Sequence, residues 1–335
     1  PFTRTLRQKG KKKKKKIAVA ELQYNKAVRD VIVEVKKAVY EMKYLQAAIN
    51  ITRNNQELLQ EVLQYAQTRH ADQVSPFNHV MQTESQLAQL QYDVVTLREL
   101  LRIQQTEIGA LLNQPNAVIA SVTASFPQSA TLSLSKFESL VRKNNQELRI
   151  AQQQTEKAKE MEKLARKEVL PQFSLGASYI ETGEGGMPNV DERGKDPVMI
   201  TGSVSIPLWF HKNSAKIKAA QHREEESKHS ARAVRNDLLV QTKKQFFAWQ
   251  NARRLVDLYE KHLLPEAKMA IESAQQLSRE PSGQVTDVLE TQSVWLNFAL
   301  AHIRAKVDYA KAWAELERLA GGTLQPLLEE GNHAE

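Results

Sequence analysis

"FSLGASYIE", residues 173–181, sets Phe173, Leu175, Ala177 and Tyr179 against Ser174, Gly176 and Ser178 in strict alternation. A period of two marks extended backbone with two unlike faces, because successive side chains on a strand point to opposite sides. "VMITGSVSIPLW" (198–209) alternates in the same way, with Ile200, Gly202, Val204 and Ile206 opposed to Thr201, Ser203 and Ser205. Between them lies "TGEGGMPNVDERGKDP", polar and rich in Gly and Pro, as a loop requires. The pattern predicts one β-hairpin over 171–208, with strands of nine or ten residues and a long tip.

Outward from the hairpin the chain reads as helix. From about Lys16 to Arg69 neither Pro nor Gly occurs, and Val31, Val35, Ala38, Met42, Leu45 and Ile49 recur at heptad-like spacings. "VSPFN" (74–78) breaks the run. Leu87, Leu90, Val94, Leu97, Leu101, Ile108 and Leu111 then share a stripe until "NQP" at 113–115. A helical hairpin is therefore expected over 16–113, followed by a Ser/Thr/Ala/Pro-rich linker at about 116–131. A third helix is expected from Leu134 to Glu168. Beyond Trp209 a long helix is expected over 213–280, a turn at "PSG" (281–283), and a last helix from Val285 to Ala320.

Helix, turn, helix thus occurs twice, which calls for a test of internal repetition. At a shift of 207, "VEVKKAVYEM" (33–42) falls on "VQTKKQFFAW" (240–249); at 208, "VMQTES" (80–85) falls on "VLETQS" (288–293). Two copies are expected: 1–131, N-terminally incomplete, and 132–322, complete with helix, hairpin and the helical hairpin 213–320, before a tail at 323–335. The first copy lacks an opening helix and hairpin, and "PFTRTLRQKG" stands where the second has the end of a strand. The chain is expected to be a fragment that does not close a barrel by itself.

The formal charge of +8 suggests an anionic partner, yet residues 1–16 hold nine positive charges and no acid, leaving −1 for the rest. No basic face with interleaved aromatics occurs elsewhere, so nucleic acid is not expected as a partner. The absence of Cys excludes disulfide and thiolate chemistry. The eight histidines show neither HxxxH nor HExxH spacing. "TGEGG" lacks the lysine and the strand-to-helix setting of a phosphate loop. No nucleophile and base pair stands out, so neither enzyme, metal site nor cofactor is expected. No stretch reaches the roughly 20 apolar residues of a membrane-spanning helix, so a membrane would have to be crossed by strands.

The order of segments, with "LPQFSLGASY", "SVSIPLWFHKNSAKIKAAQ" and "VTDVLETQSVWL", resembles the TolC-like outer-membrane efflux family over nearly all of residues 16–320. The "SIPLW" strand end that runs into a basic helix is most similar to its heavy-metal, cobalt-zinc-cadmium branch. The resemblance implies a mainly α fold with a β-hairpin. In the family three protomers close a twelve-stranded β-barrel in the outer membrane and continue it as an α-barrel through the periplasm. A strand of nine or ten residues tilted at about 45° suits a bilayer core of roughly 30 Å, and a helix over 213–280 would reach about 100 Å.

On that reading Phe173, Leu175, Tyr179, Ile200, Val204 and Ile206 face lipid, while Ser174, Ser178, Thr201, Ser203 and Ser205 line the lumen. The helix turns become periplasmic tips that meet an adaptor through Val74, Ser75, Gly283, Gln284, Val285 and Thr286. The resemblance makes Asp287 and Glu290 constriction residues, six carboxylates in a trimer; by position alone they equally suit the start of a helix. Gly283 or Gln284 stands where some members carry a basic latch. The implied function is a passive homotrimeric duct, without catalysis, working with a periplasmic adaptor and an inner-membrane pump. Metal cations are a suggested cargo, and the alternative is a soluble coiled-coil scaffold whose hairpin caps a bundle.

Overall fold

The computed structural model describes residues 3–115, 119, 125–127, 131–181, 196–278 and 285–324. Its elements are α1 (Thr3–Ala71), α2 (Phe77–Leu111), α3 (Leu134–Asn144), α4 (Gln146–Glu168), β1 (Gln172–Tyr179) and β2 (Val198–Ser205). After β2 come α5 (Phe210–Leu258), one π-helical turn (Tyr259–Leu263), α6 (Leu264–Ser278) and α7 (Val285–Ala320). They form two compact units, one of residues 1–25 and 146–238, the other of residues 26–145 and 239–335.

In the first unit the start of α1 runs antiparallel to α4. The Gln8 side-chain amide donates to the Glu160 carbonyl at 3.1 Å, and Lys15 donates to Gln153 at 3.2 Å. On its other side α4 meets α5, where Thr155 donates to the Ser227 carbonyl and Lys216 pairs with Glu168 at 2.6 Å. The two-stranded sheet is carried between α4 and α5. Residues 3–10, expected to match a strand end, are helical instead, because Leu, Arg, Gln and Lys favour helix and Gln8 is anchored on α4. The lysine run continues the same helix.

The second unit is held by two kinds of contact. Phe137, Phe246, Trp249, Tyr309 and Trp313 are all buried, and neighbouring rings lie 5.6–6.2 Å apart, in the range of favourable aromatic pairs. Val33, Ala38, Met42, Leu45 and Ile49 form the buried seam of α1. Val31, expected in that seam, is 48% exposed, and Val33 takes its place. Alongside runs an ionic seam between α1 and α7. Lys36 pairs with Glu317, Lys37 with Glu315, and Glu41 accepts from both guanidinium nitrogens of Arg304 at 2.9 and 3.0 Å and also from Lys311.

Burial pushes the Glu41 carboxyl up, but the hydrogen bonds and charges of Arg304 and Lys311 outweigh it and hold its pKa below the ordinary value of 4.5. A lowered folded pKa means that Glu41 stabilises above the unfolded value and that this contribution is lost as pH falls through the folded one. We expect Glu41→Gln to destabilise the second unit by about 2 kcal/mol at pH 7, the scale of a hydrogen bond to a charged group. In thermal melts of the two proteins, the gap should close as pH is lowered below 4.5.

Two predicted helices are interrupted. The helix expected over 134–168 breaks at Asn145, whose buried side chain leaves the local backbone to donate to the Leu319 carbonyl at 2.9 Å. The adjacent Gly321 has φ +72°, and a Cβ there would lie 2.5 Å from the Asn144 carbonyl oxygen, so glycine is required. The helix expected over 213–280 widens into the π-helical turn at Tyr259–Leu263, where the Leu264 N–H reaches back to the Tyr259 carbonyl. Pro265 follows directly: it has no N–H and its ring would crowd the preceding turn, and a π-bulge relieves both.

Candidate functional site

The hairpin has one register throughout, Gln172↔Ser205 to Tyr179↔Val198, antiparallel. It brings Phe173, Leu175, Ala177 and Tyr179 together with Val204, Gly202, Ile200 and Val198 on one face, since directly opposed residues share a face. The other face holds Ser174, Gly176 and Ser178 with Ser203, Thr201 and Met199, and the Ser174 and Ser203 hydroxyls lie 2.9 Å apart across the ladder. Met199 on this face was not anticipated. Each strand has eight residues rather than nine or ten. The ladder stops where Ile180 donates to the Pro197 carbonyl at 3.1 Å, because Pro197 has no N–H to return. Ile206 therefore lies just past β2, though it continues the apolar alternation.

Both faces are open to solvent in the isolated chain. Leu175 is 83% and Ile200 73% exposed, and every residue of β2 is exposed. Among the described residues the sheet has only these two strands, so two edges lack ladder partners. Such a pair is marginal in water and unusable in lipid unless further strands complete it. Among the described residues no helix is long and apolar enough to cross a membrane.

The helix turns form the second part of the site, in the other unit. After α1 the chain reverses through Gln73 at φ 61°, with the Val74 and Ser75 N–H groups both donating to the Arg69 carbonyl. This closure satisfies helix-end carbonyls in the manner of a left-handed cap. Val74 is exposed and Ser75 half-buried, its hydroxyl 2.9 Å from His79 Nδ1. Gly283 and Gln284 lie outside the described residues. Val285 is 1% exposed and packs with Leu59, Ala66, Val80, Leu90 and Leu289. That burial corrects its expected place on an adaptor-facing surface: Val285 holds the two tips together, and Thr286 beside it is half-buried.

Asp287 lies in the first turn of α7 and Glu290 follows on the same side, both exposed and without an ion-pair partner among the described residues. Val285, Val288 and Leu289 fill the opposite, buried side. The two carboxylates are thus directed away from the core, and Asp287 also suits the positive end of the α7 dipole.

One contact was missed by sequence reasoning. The Tyr65 hydroxyl donates to the Ser278 carbonyl at the end of α6, and Arg69 donates to the Tyr65 oxygen at 3.0 Å. The spacing of four that sets both residues on one side of α1 was visible; the partner carbonyl was not, because main-chain acceptors leave no mark on composition. Among the described residues no group of three or more His, Asp and Glu could hold a metal.

Residues 138–322 match the family model described as outer membrane efflux protein. No curated protein matches the chain by sequence. Among solved structures, the outer membrane protein VceC of Vibrio cholerae superposes with a TM-score of 0.82 at 17% identity, covering 97% of this chain and 77% of that one. The open state of the MtrE outer membrane channel of Neisseria gonorrhoeae gives 0.81 at 16% identity, over 95% and 72%. CusC, whose structures concern transmembrane channel formation, gives 0.81 at 14% identity, over 96% and 75%. At these identities the likeness establishes the fold.

Proposed function

Because the chain belongs to the outer membrane efflux protein family, we propose that it is a passive exit duct: a homotrimer whose hairpins contribute to a barrel in the outer membrane and whose helices lead cargo through the periplasm. The observation that carries this reading is the hairpin, with one apolar and one hydroxyl-lined face and, among the described residues, two free edges. A barrel built from further copies would satisfy the edges, place Phe173, Leu175, Tyr179, Ile200, Val204 and Ile206 in lipid, and turn Ser174, Ser178, Thr201, Ser203 and Ser205 to water. Exposed apolar side chains on the helices, among them Val28, Val240 and Phe247, give copies of the second unit something to bury against one another. The register of the sequence with itself at shifts of 207 and 208 supports the two-repeat organisation.

The duct supplies no energy, so a pump in the inner membrane drives export and a periplasmic adaptor joins the two at the tips around Val74, Ser75 and Thr286. No residue is assigned a catalytic role. Asp287 and Glu290, repeated about a threefold axis, would set six carboxylates around the narrow end and favour cations, which suits metal ions as cargo. The test is reversal potential in planar bilayers. Asp287→Asn with Glu290→Gln should cut the preference for cations over anions by about tenfold at low salt, less at high salt where charges are screened. An unchanged ratio would remove both residues from the constriction and leave them a helix-start role.

Tyr65→Phe tests the tips as a gate. Without the hydroxyl the link to Ser278 is lost, and we expect the time spent in conducting states to rise severalfold, about the effect of one hydrogen bond of roughly 1 kcal/mol. Single-channel recordings of the two proteins would measure it.

A further inference from the structure

We propose that a groove at the root of the hairpin binds the headgroup of an anionic phospholipid of the leaflet that faces the periplasm. The proposal rests on the reading that the hairpin spans the outer membrane.

The groove lies within the first unit, between α1, α4 and α5, is open on one side and has a volume of about 190 Å³. Its floor is apolar: Ala158, Met161, Leu164 and Ala220. Its rim carries Lys12, Lys216 and Arg223 against one acid, Glu168, which pairs with Lys216 at 2.6 Å. Lys12 and Arg223 have no ion-pair partner among the described residues, so the mouth is net positive. An apolar floor beneath uncompensated cations is complementary to a molecule with a phosphate at one end and hydrocarbon next to it. A free phosphate would match only the rim.

The position in the chain gives the source of that molecule. Glu168 ends α4, just before β1, and Lys216 lies in the second turn of α5, just after β2. Between β2 and Lys216 come Leu208, Trp209 and Phe210, 68–76% exposed. Aromatic side chains followed by basic ones are the order met in passing from acyl chains through headgroups to water. Lys12 belongs to the run Lys11 to Lys16, of which Lys11, Lys13, Lys14 and Lys16 are exposed. The run therefore acquires a role: it raises the positive potential beside a phosphate site, without being a tail for nucleic acid.

The chain, purified in detergent, would be titrated with dihexanoyl phosphatidylglycerol and dihexanoyl phosphatidylcholine by native mass spectrometry. We expect preference for the glycerol lipid, and a loss of about fivefold for each of Lys12→Gln and Arg223→Gln, the scale of one basic residue at an anionic surface. Ala220→Trp, which fills the floor and leaves the charges, should weaken the lipid while sparing inorganic phosphate. Equal binding of the two lipids, variants that bind like the parent, or full displacement of lipid by inorganic phosphate at equal concentration would each overturn the proposal. Failure of the groove leaves membrane association of the chain intact, whereas failure of the hairpin reading abolishes that association's dependence on Leu175.

Discussion

Arginine in place of Leu175 is expected to keep the chain out of the outer membrane. Leu175 stands midway along β1, opposite Gly202 and diagonal to Ile200 and Val204, at the centre of the apolar face. An arginine at the middle of a lipid-facing strand costs about 2–4 kcal/mol, and a symmetric assembly incurs it in every copy. Ser174→Arg is the control, because the neighbouring position on the hydroxyl face can keep its charge in water. Membrane fractions should retain the Ser174 variant and lose the Leu175 variant. Equal loss of both would mean that the two faces do not meet different solvents.

Trp249→Ala has the largest effect expected on stability. The indole is 1% exposed and lies against Phe246, Tyr309 and Trp313, with centroids 5.6, 6.2 and 5.8 Å away. Truncation leaves a cavity bounded by rigid rings that cannot collapse, so about 3–5 kcal/mol should be lost. Its buried N–H meets no acceptor among the described residues, and Trp249→Phe should therefore recover most of the loss, with little cost for the missing nitrogen. Urea unfolding of the three proteins gives the comparison; a loss below about 1 kcal/mol for the alanine variant would remove the aromatic cluster from the centre of the second unit.

The hairpin was legible in the sequence because a period of two has no competing explanation over seven successive residues, and the register Phe173↔Val204 to Tyr179↔Val198 bears out its two faces. Long helices were legible from the scarcity of Gly and Pro. What escaped were events set by single distant partners. Asn145 breaks a helix because its amide finds the Leu319 carbonyl, 174 positions away. Val33 replaces Val31 in the seam because two positions on a helix turn a side chain by about 200°, and only the partner surface decides which valine is covered. Val285 read as a tip surface from its position beside a turn, whereas the core shared with Leu59 and Val80 draws it inward. Pro265 was visible, but the π-bulge that accommodates it depends on how the flanking helix is held. The helix was expected only from about residue 16, because charge alone does not disclose that Gln8 and Lys15 dock the start of the same helix on α4.

The absence of cysteine from the chain permits the most direct test of the central claim, that the hairpin is part of a membrane-spanning pore. Single cysteines would be placed in turn at Ser174, Leu175, Ile200, Ser203 and Val204, and the reconstituted protein exposed to a membrane-impermeant maleimide. The duct predicts alternation: rapid labelling at Ser174 and Ser203, and protection at Leu175, Ile200 and Val204. Uniform labelling at all five positions would contradict it and leave the hairpin a cap exposed to water on both faces.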